Sequence, residues 1–411
     1  MRCYSYKKHY AELFISIIGI FPTINYYLAE FLTSFELPTL SFWFYLIIYG
    51  TSAVSYIYIF FRMEIKSLLA VLIAGIIFIF TFIVSPDSYR IALGGKISAN
   101  YFAVFWFAVF PPFFLTLTKI DLSYLTELFY RFGIVVVILM TVSYAVRIFF
   151  IHIPLTNYMS FAYQGLFFVM LCVYVSVKKR KPIRFMLSSA ACVCIILAGC
   201  RGAALTLSVF LAIVILTAPG MKKGIHYVVN LLIINLGLII FVYAEPIISY
   251  FGYLWTAGEV KSRTLAMLLS GEIFSDSGRG DIQRKVIAES GLLPNGLYGD
   301  FAASGVYSHN WIVEILCNFG YLIGPIIIFI ILFILIKSTV IYRRENSFRF
   351  FWTVSAVSMV LVKYMVSSSP LITFEFMFLT GLLVNMLYIN NKRDSISGRY
   401  IIRIISVMNA K

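Results

Sequence analysis

Four histidines (His9, His152, His226 and His309), 33 Lys and Arg, and 18 Asp and Glu are the chain's whole stock of strong base, cation and acid chemistry. His309 stands in SHN, at the mouth of an apolar run. A histidine there either caps a helix start or exchanges a proton near neutral pH, and the adjacent Asn310 is itself a natural cap. Arg201 stands in GCRGA between two apolar runs, flanked by glycines that permit a tight turn. Arg147, Lys363 and Glu375 fall inside apolar runs, where a charge is expensive and marks a function by default. The structural alternatives for these three are snorkelling to water or pairing with one another. Six cysteines add no framework: Cys172, Cys192, Cys194 and Cys317 lie in apolar runs, and Cys192 and Cys194 lack the spacing of a redox pair. Neither a disulfide nor a metal site is expected.

The elements that hold these residues follow from composition. Hydrophobic residues make up 61% of 411, charged residues 12%, and mean hydropathy is +0.92. A water-soluble domain has about 45–50% apolar and about 25% charged residues, so this surplus needs a bilayer. Disorder, collagen and disulfide scaffolds are excluded by the same figures. The expected fold is an all-α polytopic membrane protein, a single integral-membrane domain over residues 1–411.

About twelve apolar runs are read: Ala11–Thr33, Leu40–Phe61, Leu68–Ser85, Tyr101–Thr118, Gly133–His152, Phe161–Val177, Phe185–Gly199, Ala203–Ala218, Tyr227–Ala244, Trp311–Ile336, Phe350–Ser367 and Leu371–Ile389. Kinks are expected at Pro111-Pro112 and Pro325. The start MRCYSYKKHY lacks a cleavable signal pattern, so the first run reads as a retained anchor. With both termini cytoplasmic, more than two thirds of the 33 Lys and Arg fall in inner segments, including the KKRK run at 178–181. The net charge of +15 is thereby explained by membrane orientation, and nucleic acid is set aside as a partner. The basic, apolar tail RYIIRIISVMNAK suits the inner leaflet.

One connection is far longer than the rest: residues 245–309, placed outside. Within it DIQRKVIAES predicts a short helix, with Ile282, Val286 and Leu293 on one stripe and Gly291 as its C-terminal cap. The two crossings between Arg184 and Lys222 span only about 27 Å each at about 1.5 Å per residue, against a core of about 30 Å. The turn holding Arg201 is therefore drawn down to the outer hydrocarbon boundary.

Three stretches in order resemble bacterial O-antigen polymerases and O-antigen ligases. CRGAALTLSVFLAIVIL is similar to the SRGA-type start of one of their helices. SGRGDIQRKVIAESGLLPNGLYGDF resembles their periplasmic segment, with an Arg before a short helix, then a Pro and a glycine turn. YSHNWIVEILCNFGYLIG resembles their HN-containing entry to the next helix. The patterned part runs from about Cys200 to Gly324; the first half matches in hydropathy alone. The chain departs from the pattern at Gln283, where the family often has Trp, and in GLYG where a strict GxG is common.

The resemblance implies the fold of the all-helical C-type integral-membrane glycosyltransferases, in a bacterial cytoplasmic membrane. It implies undecaprenyl-diphosphate-linked glycans as substrates, with no cofactor, nucleotide sugar or metal. A chain-length regulator and a flippase are the implied protein partners. Under that reading, the diphosphate leaving group needs positive charge at the outer boundary, and arginine's planar fork fits phosphate oxygens. Arg201 and Arg279 are the expected clamp, with Arg284 in reserve. His309 would take the proton of the acceptor hydroxyl. Glu314, about one turn further on, would orient His309 or compete for the role. Asn310 and Arg147 would support them.

A polymerase transfers the growing glycan to an incoming lipid-linked unit; a ligase transfers it to lipid A core. The motifs fit both. A third reading, a lipid-linked oligosaccharide flippase, suits an even number of helices. Transporters, however, hold their binding groups near the midplane, whereas these charges gather at one face. No P-loop or GxGxxG supports an ATP-driven step.

Overall fold

The computed structural model describes residues 9–62, 65–85, 101–151, 153, 155, 157–217, 278–343, 345 and 347–389. The described residues are all-helical. The predicted run Tyr227–Ala244 and residues 245–277 of the long connection lie outside them, as do His152 and His226.

The helices are α1 (Tyr10–Thr33), α2 (Ser41–Arg62), α3 (Ile65–Val84), α4 (residues 101–116), α5 (Leu122–Ala145), α6 (Tyr158–Lys178), α7 (Pro182–Leu197), α8 (Arg201–Thr217), α9 (Arg279–Glu289), α10 (Gly299–Ser304), α11 (Trp311–Tyr342), α12 (Phe348–Ser358) and α13 (Phe374–Val384). α5 and α13 each run on into one π-helical turn, and α12 continues through such a turn to Val366. Among the described residues, six helices are long and apolar enough to cross a membrane: α1, α2, α5, α6, α11 and the extended α12. Shorter apolar helices coincide with the predicted runs at α3, α4, α7, α8 and α13.

α6 is the central helix. It is apolar all round, and from Phe161 to Ser176 nearly every residue is buried, as such a helix requires. It packs on α5 and α7, while α1 lies along α5 and α2, and α13 lies against α4. Phe129, Phe167, Phe168, Trp352 and Phe378 interlock between α5, α6, α12 and α13. The Trp352 indole N–H donates to Thr126 Oγ1 at 3.0 Å, so the ring's one polar atom is satisfied. α2 lies at the margin; its Phe42, Phe60 and Phe61 are exposed, which suits a lipid-facing surface.

Three expectations need correction. α5 begins at Leu122, well before Gly133: Asp121 accepts from the Ser123 and Tyr124 amides and starts a helix before the apolar run does. The break in α11 comes at Gly320, with Pro325 one turn beyond it in helical conformation. Gly320 takes φ 70°, and a Cβ there would meet the Leu292–Leu293 backbone at 2.5–2.7 Å. The segment after α9 is stitched into this gap. Asn295 N–H and Gly296 N–H donate to the carbonyls of Cys317 and Asn318, and Tyr321 N–H and Leu322 N–H donate to those of Gly291 and Leu292. Backbone groups freed by the break are thus satisfied by protein, as a bilayer demands.

The third correction concerns α9. It ends through Ser290 in extended conformation, and Gly291 supplies a stitch carbonyl in place of a left-handed cap. Ile282 and Val286 do form the expected stripe, against Val313 and Cys317 of α11. Leu293 falls outside the helix and is exposed.

Candidate functional site

The stitch, α9, α10 and the first half of α11 together build a small unit at one end of the bundle. Asn310 caps α11: its Oδ1 accepts from Ile312 N–H at 3.0 Å and Val313 N–H at 3.4 Å. His309 is therefore relieved of the capping role. It is held at φ 58°, a left-handed conformation that is unusual for a non-glycine residue. Its ring lies 4.2 Å from that of Tyr307. Burial, helped by the positive charge of Arg279, pushes its pKa down to about 4. The imidazole is thus neutral at physiological pH.

Arg279 is the hub. As the first residue of α9 it is half-buried, and its charge acts on His309, Tyr307, Tyr163 and Cys200. Cys200 directly precedes Arg201, the first residue of α8. Gly202 follows, and a Cβ there would collide with the Tyr163 hydroxyl, so the glycine lets Tyr163 pack closely on the start of α8. The separate stretches around Arg201, Arg279 and His309 therefore converge.

The other candidates lie elsewhere. Arg284 is 80% exposed and paired with Asp281 at 2.8 Å, outside the cluster. Arg147 forms a buried ion pair with Glu30 of α1. Lys363 and Glu375 pair at 3.0 Å with side chains 1% and 8% exposed, so mutual pairing is the correct account of those two charges. Glu314 is buried, and its Oε1 accepts from Ser369 Oγ at 2.5 Å; among the described residues it makes no hydrogen bond with His309.

Asp300 was not among the residues singled out from the sequence. It is fully buried on α10, and its Oδ2 accepts from the Ser308 amide at 2.9 Å, which fixes the turn carrying His309. Burial raises its pKa to about 7, against the opposing effect of the hydrogen bonds it accepts from the Ser308 and Phe301 amides. The only hint in the sequence was its place in GLYGDF.

Asp300 Oδ1, His309 Nδ1, Trp311 Nε1, Glu314 Oε2 and Asn318 Nδ2 are buried without a hydrogen-bond partner among the described residues. Each such atom costs about 1–3 kcal/mol, and their gathering on one short stretch sets it apart from ordinary core.

Close by, a cavity of about 450 Å³ opens between α1, α2, α4, the start of α6 and the connection from α12 to α13. Tyr163, Tyr307, Lys363 and Glu375 lie in its wall. The bundle's other end carries a different set of charges: Lys179 and Arg131 on Glu127, Arg184 over the Tyr130 ring and Lys337 over Tyr388.

Comparison with protein-family models, curated proteins and solved structures finds no match to this chain.

Proposed function

We propose that this membrane protein polymerises undecaprenyl-diphosphate-linked oligosaccharide repeat units at the outer face of a bacterial cytoplasmic membrane. The observation that carries the reading is the meeting of Arg279, His309 and the Arg201 turn from three separate stretches. These are the same stretches whose residues resemble O-antigen polymerases. Twelve crossings with both termini cytoplasmic complete the proposal and leave the cluster on the outer side.

In this reaction the acceptor sugar hydroxyl attacks the anomeric carbon of the growing chain. The bond from that carbon to the diphosphate oxygen breaks, and undecaprenyl diphosphate leaves with the electron pair. Arg279 and Arg201 stabilise the charge that develops on the diphosphate. His309, neutral because it is buried beside Arg279, takes the hydroxyl proton. Asp300 holds the turn that aims the imidazole.

A transporter of the same glycolipid is the second reading, and the break at Gly320 favours it, because interrupted helices line many transport sites. Against it, the backbone groups freed by this break are taken by residues 291–296 and are not presented to a ligand.

One substitution separates the two. His309→Asn in producing cells is expected to accumulate, insert and leave single repeat units at the outer face with no longer chains. Undecorated units trapped on the inner leaflet would make the protein a flippase. Normal chains would remove His309 from the chemistry and turn attention to Asp300 and Glu314.

A further inference from the structure

We infer that the cavity between α1, α6 and the α12–α13 connection is a subsite for an uncharged sugar residue of the substrate glycan; the inference rests on the polymerase reading and deepens it. The cavity's size, about 450 Å³, falls in the range of about 300–1,000 Å³ typical of small-molecule sites. More than half of its lining residues carry a hydroxyl, an amide or a charge, which is unusual between membrane helices. Tyrosine rings offer flat apolar faces beside these polar groups, the combination that a sugar ring presents in mirror form.

The charge of the wall is specific. Among the described residues, Lys363 and Glu375 are the only charged ones lining the cavity, and they pair at 3.0 Å. The Tyr364 hydroxyl donates to the other Glu375 oxygen at 3.3 Å and exchanges a bond with Thr373 at 2.7 Å. The Lys363 ammonium also lies over the Tyr163 ring, 5.6 Å from its centre. An acidic sugar would draw Lys363 away and leave Glu375 buried without its counter-charge. A neutral, hydroxyl-rich ring can bond to the pair without breaking it.

Position links the cavity to the reaction. Tyr307 lines the cavity and packs on His309. Tyr163 lines it too, feels the charge of Arg279, and covers the glycine beside Arg201. A glycan seated in the cavity therefore has its end at the imidazole and arginine cluster.

The test uses the full-length protein in lipid nanodiscs and two probes. One is the oligosaccharide freed by mild acid from the lipid-linked fraction of producing cells, followed by saturation-transfer NMR. The other is undecaprenyl diphosphate without sugar, followed by retention in the nanodisc. Wild type is expected to bind both. Ser160→Trp, which fills the cavity, should cut saturation transfer at least about five-fold and keep the diphosphate lipid. Arg279→Gln should do the reverse. Gln164→Leu removes one lining amide without adding bulk; it should weaken transfer as well, and it stands in if the tryptophan variant does not fold.

Saccharide binding that survives both cavity variants overturns the subsite, while an Arg279-dependent hold on undecaprenyl diphosphate would leave the polymerase reading standing. Transfer concentrated on an acidic residue of the saccharide overturns the charge argument. Saccharide bound in the cavity with no hold on undecaprenyl diphosphate supports the subsite and removes the arginine clamp. Wild type that binds neither probe overturns both.

Discussion

The two ends of the bundle treat charge in opposite ways. At the end holding the KKRK run, Glu127 is shared by Arg131 and Lys179, with all three side chains a third or more exposed. Lys178 and Lys337 rest over the rings of Phe348 and Tyr388 at 4.6 and 4.5 Å. At the other end Lys363 and Glu375, and Arg147 and Glu30, are paired and almost wholly buried. Exposed charges act by number and side, setting orientation with little demand on geometry. Buried ones act by position, because each must find a particular partner. The proposed chemistry belongs to the second end, which also holds Arg279, His309 and Asp300.

The sharpest way to break this contrast is at His309. His309→Asn should lower the polymerisation rate by about 10²–10⁴-fold, the usual contribution of a positioned base. It should leave membrane accumulation unchanged, because Asn310 supplies the helix cap. Normal chain length on a gel of extracted polysaccharide would move the chemistry away from this residue.

Removing one member of a pair compares the two ends directly. Glu375→Gln strands Lys363 and should cost about 3–5 kcal/mol in unfolding free energy. Glu127→Gln at the exposed end should cost about 0–1 kcal/mol. Denaturant unfolding in detergent micelles measures both, and equal losses would erase the distinction.

Arg279 tests geometry against charge. Arg279→Lys retains the positive charge and loses the planar fork, so most polymer should be lost while the protein still accumulates. The charge also lowers the His309 pKa, second to burial. In Arg279→Gln the acid limb of any residual activity should therefore move to higher pH. An unmoved limb would show that the two groups do not sense each other.

The smallest effect expected is on the pH dependence of stability. His309 is held near pKa 4, below its ordinary value of about 6.5. Its contribution is present above about 6.5 and is lost as pH falls through about 4, because the unfolded chain binds the proton more readily. His309→Phe should flatten the unfolding midpoint across that window.

The ends differ equally in how readable they are from sequence. The basic end is legible because orientation depends on counts of Lys and Arg in short loops, and a count needs no contacts. The apolar runs are legible for the same reason: about twenty apolar residues say helix in bilayer whatever they touch. α9 and the stripe of Ile282 and Val286 follow from helical periodicity. The break at Gly320 is not legible in this way. Pro325 carries the stronger local signal, yet a proline is tolerated inside a membrane helix, whereas Gly320 yields to the backbone of Leu292 and Leu293 pressed against it. Local propensity cannot report a contact across some thirty residues.

For the candidate site the division is similar. Composition and spacing by themselves determined the class of protein, the positions of most helices and the polar residues Arg201 and His309, since a polar residue beside apolar runs is conspicuous wherever it lies; Arg279 and Glu314 came from the resemblance. Only the tertiary structure decided which of them meet. It joined Arg279 to His309 and to the Arg201 turn, paired Lys363 with Glu375 and Arg147 with Glu30, and left Arg284 outside with Asp281. It also brought in Asp300, whose carboxylate matters only because the turn at Ser308 folds back onto it. The reason is physical: residue type sets what a group can do, but in a low-dielectric interior its partner sets whether it is a charge, an acid or a base.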